Sequence, residues 1–232
     1  MQAARRATSA AASTFSANAA ARNRETDVSR LSEKIDDLFA KEKWKEARAL
    51  LSKEIERRGD DAGHWLLTRL ATTYYEERQY KKALQLSEKA LALAPHCPLA
   101  LWDHAGTLDA LGRSEEAIDV YMSLIQRDPE RVGQEECGEG VEWAVGLLTD
   151  CFYRVSVHLK HLNRPQPAWK FFLWFAQLVT AGAPSTYAEA HSEIVKHILD
   201  VAKESPGNDP PRSPRKGLME FSKEAERLLH AV

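Results

Sequence analysis

The chain has 232 residues, 44% of them apolar and 28% charged, with a formal net charge of -2; that suffices for one long domain or two short ones, and no bulk charge points to nucleic acid or an anionic membrane. Three cysteines, Cys97, Cys137 and Cys151, are too few and too unevenly spaced for a disulfide framework and fit a reducing compartment. No uncharged apolar run reaches the roughly 18 residues that a membrane-spanning helix requires, so no integral membrane segment is expected.

From Met1 to Arg24 there is no acidic residue, and Arg5, Arg6, Arg22 and Arg24 stand among Ala and Ser. Without an apolar core this stretch is no secretory signal. Its composition predicts a disordered tail over residues 1–26, with an organelle-targeting peptide as the alternative. The expected location is the cytoplasm, or an organelle if the tail is an address.

Residues 27–203 read as one helical domain. Leu31, Ile35 and Leu38, then Trp44, Ala47 and Leu51, recur at helical spacing and predict a pair of helices over about 28–61. A period of 34 residues follows. Ala83 falls on Ala117, Pro95 on Pro129, Leu67 on Leu101, Ala71 on Ala105, Tyr74 on Leu108 and Ala90 on Leu124. The units 64–97 and 98–131 each predict two helices, at about 64–77 and 80–94, then 98–111 and 114–127. Gly112-Arg113 breaks the second pair and a proline closes each unit. Small residues at 71, 83, 105 and 117 suit close backbone approach, and large ones such as Leu70, Tyr80, Ile118 and Tyr121 fill the remaining volume. One such pair leaves an apolar face open, so neighbours must stack on it.

Ala47 precedes Ala83 by 36 residues, so the stretch around Arg58 to Gly63 must absorb two extra. Downstream, Phe152, Val155, Ser156 and Leu159, then Ala168, Phe172 and Phe175, predict a further pair over 149–182. Ala168 lies 51 residues past Ala117, one period plus 17, and the surplus at about 132–148, with Gly133, Gly138 and Gly140, reads as a loop. Helical pattern resumes at Glu142 and reaches about His161. The run from Ala168 to Val179 is apolar on nearly every side, which a surface helix cannot sustain. Either its neighbours wrap it or it forms a homodimer contact. Residues 185–203 predict another helix with Ser185 as N-cap. Residues 204–217, rich in Pro and charge, read as a linker. The last helix, 218–232, carries Leu218, Phe221, Ala225, Leu228 and Leu229 on one side and suits a cap on the stack.

The chain contains no phosphate loop, GxGxxG, HExxH, Cys-x-x-Cys or nucleophile elbow. Cys151, His158 and His161 share a helix face but lack a fourth ligand, and Cys151 reads as core. His96-Cys97, between Pro95 and Pro98, reads as a turn. Arg212-Ser213-Pro214-Arg215-Lys216 reads as a solvated basic run, a proline-directed phosphorylation site or a minor nucleic-acid contact. No catalytic residue, metal site or cofactor is expected, and no nucleic-acid partner.

The two central units resemble tetratricopeptide repeats, whose pattern runs Trp/Leu, Leu, small, Tyr, then Ala, aromatic, Ala and Pro. Leu67, Leu70, Ala71, Tyr74, Tyr80, Ala83, Ala90 and Pro95 carry it in the first, and Leu101, Ala105, Leu108, Gly112, Ala117, Tyr121 and Pro129 in the second. Ser87, His104 and Ser114 depart from it. The pairs at 28–61 and 149–182 look like degenerate copies. The resemblance implies an all-α, right-handed superhelical solenoid of antiparallel helix pairs. It further implies a non-enzymatic scaffold or adaptor that holds a protein or peptide partner in a concave groove; the alternative is a specialised chaperone for a secreted or membrane client. Groove positions carried over from the family fall on Trp65, Thr68, Arg69, Thr72 and Tyr75, on Leu99, Trp102, Asp103, Gly106 and Asp109, and on Tyr153, Arg154 and Val157. Relatives that clamp the acidic tails of chaperones use Lys and Asn where this chain has Arg69, Thr72 and Asp103, so that ligand is not expected here.

Overall fold

The computed structural model describes residues 30–187 and 211–230, and every regular element among them is helical. The expected tail at 1–26 and nearly all of the helix expected at 185–203 lie outside them. The chain divides into two compact units, Met1–Glu54 and Ile55–Val232, so the single domain read over 27–203 is divided inside a helix. In the first unit, α1 (residues 30–40) turns into α2 (Trp44–Arg58), which runs on across the boundary. Ile35, Ala47 and Leu51 are buried, and Phe39 meets Trp44 edge-on at 5.1 Å.

Past the end of α2, the second unit forms a short 3-10 turn, Gly59–Asp61, in the stretch that absorbs the two surplus residues. It continues through α3 (His64–Glu76), α4 (Tyr80–Leu93), α5 (Pro98–Ala110), α6 (Ser114–Ile125), α7 (Pro129–Gln134), α8 (Val141–His161), α9 (Pro165–Thr180) and α10 (Pro214–His230). Each helix packs on its successor in the pairs α3–α4, α5–α6 and α8–α9, and α4–α5 and α6–α8 contacts join the pairs into a stack. Proline opens α5, α7 and α9, where the first turn has no use for its missing N–H.

A left-handed residue turns the corner within each pair: Arg78 at φ 59°, Gly112 at φ 76° and Asn163 at φ 57° in the second unit, and Glu42 at φ 53° in the first. The turn bonds repeat as well. Gln79 N–H donates to Tyr74 C=O at 2.8 Å, Arg113 N–H to Leu108 C=O at 2.9 Å, and Arg164 N–H to Leu159 C=O at 2.8 Å. Glycine suits this backbone best, yet the geometry recurs without it.

The small positions are sealed: Ala83, Ala90, Ala105 and Ala117 are 0% exposed and Ala71 2%. Around Ala105 and Ala117, Tyr121, Phe152, Phe171, Trp174 and Phe175 supply the volume of one continuous core that reaches from α5 to α10. Two departures from the repeat pattern compensate each other. Ser87 and His104 stand on α4 and α5 with Ser87 Oγ 2.9 Å from His104 Nδ1, so a hydrogen bond replaces an aromatic contact.

Two expectations are corrected, and a third reading is narrowed. The surplus at 132–148 is not a plain loop, because Asp128 caps a short helix, α7, by accepting from Glu130 N–H at 2.9 Å and Arg131 N–H at 3.3 Å. The stretch read as a linker to residue 217 contains the start of α10 at Pro214, with the Ser213 hydroxyl accepting from Lys216 N–H at 3.4 Å. It also packs: a Cβ on Gly217 would stand 2.6 Å from Pro211 Cγ and 2.9 Å from Leu178 Cδ2. Finally, the apolar run from Ala168 to Val179 is covered by α8 and α10, with Trp174 stacked on Phe221 at 5.7 Å. The chain itself accounts for the composition that prompted a homodimer contact, although Trp169 remains 51% exposed.

Enlarging a sealed contact position tests this packing. Ala117→Leu forces three extra carbons into a filled interface and is expected to cost about 1–3 kcal/mol. The thermal midpoint followed by circular dichroism should then fall by about 2–4 °C for each kcal/mol.

Candidate partner-binding groove

The first helix of each pair in the second unit contributes to one cavity of about 220 Å³. Thr72, Tyr75 and Glu76 come from α3, Trp102, Asp103 and Gly106 from α5, and Arg154 from α8; Tyr187 closes one side. Trp102 and Tyr187 also line a neighbouring cavity of about 640 Å³, with Leu99, Trp143, Leu147 and Asp150. Tyr153 and Val157 line a third, of about 420 Å³, beside Trp169 and Phe172.

Thus Thr72, Tyr75, Trp102, Asp103, Gly106 and Arg154, all expected in a groove, line one cavity, and Leu99 the adjacent one. Thr68 does not line it. That residue is 1% exposed, and its hydroxyl donates to His64 C=O one turn back at 3.0 Å. Trp65 and Arg69 are half-buried without lining these cavities. Asp109 is also half-buried, but its carboxylate is engaged inside the chain.

That engagement is a polar network between α5, α6 and α8. Arg154 Nη2 donates to Asp109 Oδ2 at 2.6 Å, and Arg154 Nε donates to Tyr121 Oη at 3.2 Å. The guanidinium also stands 5.9 Å from the Tyr121 ring centroid. His158, 0% exposed, stacks on the same tyrosine with centroids 5.8 Å apart. Its Nδ1 is 3.2 Å from Asp109 Oδ1 but outside hydrogen-bond geometry. Burial pushes the imidazole down to about 4 against the opposing pull of Asp109, which leaves it neutral at pH 7.

At Asp103 the Arg69 charge opposes the effect of burial. Asp103 accepts from Thr72 Oγ1 at 2.9 Å, while burial pushes its carboxyl up to about 6. Trp102 packs edge-on against Tyr121 at 5.4 Å, and Tyr187 stacks on Tyr153 at 4.4 Å. Asp150 is buried and holds the chain that carries Tyr187, accepting from the Ser185 hydroxyl and from Thr186 N–H at 3.1 Å and Thr186 Oγ1 at 2.6 Å. The Ser185 hydroxyl in turn accepts from Tyr187 N–H at 3.0 Å.

The metal-ligating residues group differently from their order in the chain. His158 and His161 meet Asp109 rather than Cys151, with ligand atoms within 4.8 Å of one another, while Cys151 is buried in the core. The Arg154 cation on Asp109 opposes a metal there. A second group joins His64, Cys97 and Cys137, from three elements, outside the cavity lining. Its outer members are 73 residues apart, so no local motif announces it. Arg215 in the basic run pairs with Glu130.

Two substitutions probe these electrostatics. Arg154→Ala leaves Asp109 facing a neutral histidine and is expected to destabilise the fold by about 2–4 kcal/mol, read from urea unfolding. Asp103 binds its proton more tightly folded than unfolded, so its ionisation costs stability that sets in as pH rises from about 4 to about 6. Asp103→Asn keeps the Thr72 bond and removes that cost. It should raise the thermal midpoint at pH 8 and leave it nearly unchanged at pH 4.

The model of the tetratricopeptide repeat family matches residues 74–134. This stretch runs from the end of α3 through α7 and includes α4, α5 and α6. No curated protein matches the chain. The helix pairs, their sealed alanine positions and the family match agree: residues 74–134 carry tetratricopeptide repeats.

Proposed function

We propose that the second unit is a non-enzymatic scaffold that binds a segment of a partner protein in the cavity between α3, α5 and α8. The observation that carries this reading is the convergence of Thr72, Tyr75, Trp102, Asp103, Gly106 and Arg154 on one space from three successive repeats. Repeat folds of this kind are interaction modules, and aromatic side chains with one half-buried face supply most of the energy at such surfaces. Asp103 and Glu76 sit at this cavity while the charge of Arg154 is spent on Asp109. Such a lining suits an apolar or basic side chain and opposes a carboxylate-terminated tail.

Gly106 provides a test that spares the core. A Cβ there would meet Tyr121 Oη at 3.9 Å, an ordinary contact, and a non-glycine residue gains up to about 1 kcal/mol of helix propensity. Gly106→Leu is therefore expected to fill the cavity while holding or raising the thermal midpoint. Crosslinking and affinity capture from the native cell should then lose the partner that the wild type retains, at least tenfold, and Trp102→Ala should weaken it too. Unchanged capture by both variants would assign binding to another surface. A large stability loss in Trp102→Ala with full capture would assign that side chain to the core.

A further inference from the structure

Three side chains outside the groove meet beside the α4–α5 turn. His64 is the first residue of α3, Cys97 is the N-cap of α5, and Cys137 sits between α7 and α8. A ring nitrogen of His64 and the sulfurs of both cysteines all lie within 4.8 Å of one another. His64 Nε2 is 3.0 Å from Cys137 Sγ. A tetrahedral zinc ion at its usual bond lengths sets nitrogen and sulfur ligands roughly 3.5 Å apart, and two sulfurs roughly 3.8 Å apart. The spacing present is thus close to that of a zinc site, within side-chain movement.

We propose that His64, Cys97 and Cys137 bind a zinc ion, leaving a fourth position to water, and that the ion staples the starts of α3 and α5 to the α7–α8 turn. Two thiolates and an imidazole are a donor set that favours zinc over magnesium or calcium. The outer shell is already built. His64 Nδ1 stands 3.6 Å from Glu136 Oε2, a carboxylate that could close to a hydrogen bond and orient the ring once a metal is bound. Arg127 Nη1 donates to His96 C=O at 2.7 Å and to Glu135 Oε2 at 2.9 Å, tying together the neighbours of Cys97 and Cys137. The turn that carries Cys137 is compressed backbone against backbone: a Cβ on Gly138 would stand 2.6 Å from Val132 C=O, and one on Gly133 2.5 Å from the carbonyl carbon of Gly140. Cys97 Sγ accepts from Ala100 N–H at 3.5 Å at the head of α5, where the helix favours a thiolate. Ala90, Ala94, Ala100, Leu67 and Leu99 form an apolar wall on one side.

The test uses the full chain, reduced and stripped of metal, then supplied with zinc or cobalt(II). Native mass spectrometry should show one zinc per chain, and zinc should raise the thermal midpoint. Cobalt should give a thiolate charge-transfer band and the intense visible bands of a tetrahedral centre. Cys97→Ser, Cys137→Ser and His64→Gln should each abolish uptake with helical circular dichroism retained, while Cys151→Ser keeps it. Glu136→Gln should weaken affinity by about 10–100-fold. A wild-type chain that takes up neither metal overturns the proposal, as does uptake that survives in the Cys97→Ser/Cys137→Ser double variant. Formation of a Cys97–Cys137 disulfide in glutathione buffer in place of metal uptake overturns it equally.

Discussion

Close approach of helix backbones at alanine positions governs the rest of the second unit. Where Ala105 and Ala117 are 0% exposed, neighbouring helices can draw in until Tyr121, Phe152 and Phe175 reach across to fill the space between them. A larger side chain at any of these points would part the helices, and the residues of α3, α5 and α8 would no longer share a cavity. Groove geometry is therefore set from behind, by residues that never touch it.

Polar groups within this packing divide into two kinds. Arg154, Asp109 and Tyr121 satisfy one another in a single network and fix how α5, α6 and α8 meet. Asp103, by contrast, holds a half-buried carboxylate through a hydroxyl donor and tolerates a raised proton affinity.

The helix pairs could be read from the chain because their signals are local: apolar residues at helical intervals, and alanine and proline recurring every 34 residues. Contacts across repeats could not. Arg154 and Asp109 occupy positions that face the groove in the repeat register, and nothing in the spacing of two residues 45 apart reveals that they neutralise each other. Thr68 shared that register but bonds back to its own helix and is covered. In two places a signal was present and outweighed. Asp128-Pro129 and Ser213-Pro214 are each an N-cap followed by proline, yet three glycines in one case and a proline-rich composition in the other favoured irregular chain. His64, Cys97 and Cys137 gave no pattern at all, since each belongs to a different element. The left-handed corner at Gly112 was visible in the residue type, whereas its counterparts at Arg78 and Asn163 were not.

α10 lies against α9, with Leu218 2% and Ala225 0% exposed and the Phe221 ring stacked on Trp174. It occupies the flank on which another hairpin would otherwise dock. A repeat array with both flanks bare can grow by head-to-tail addition of further copies into filaments. Here α10 already covers part of α9, so another hairpin could dock at that place only by displacing it.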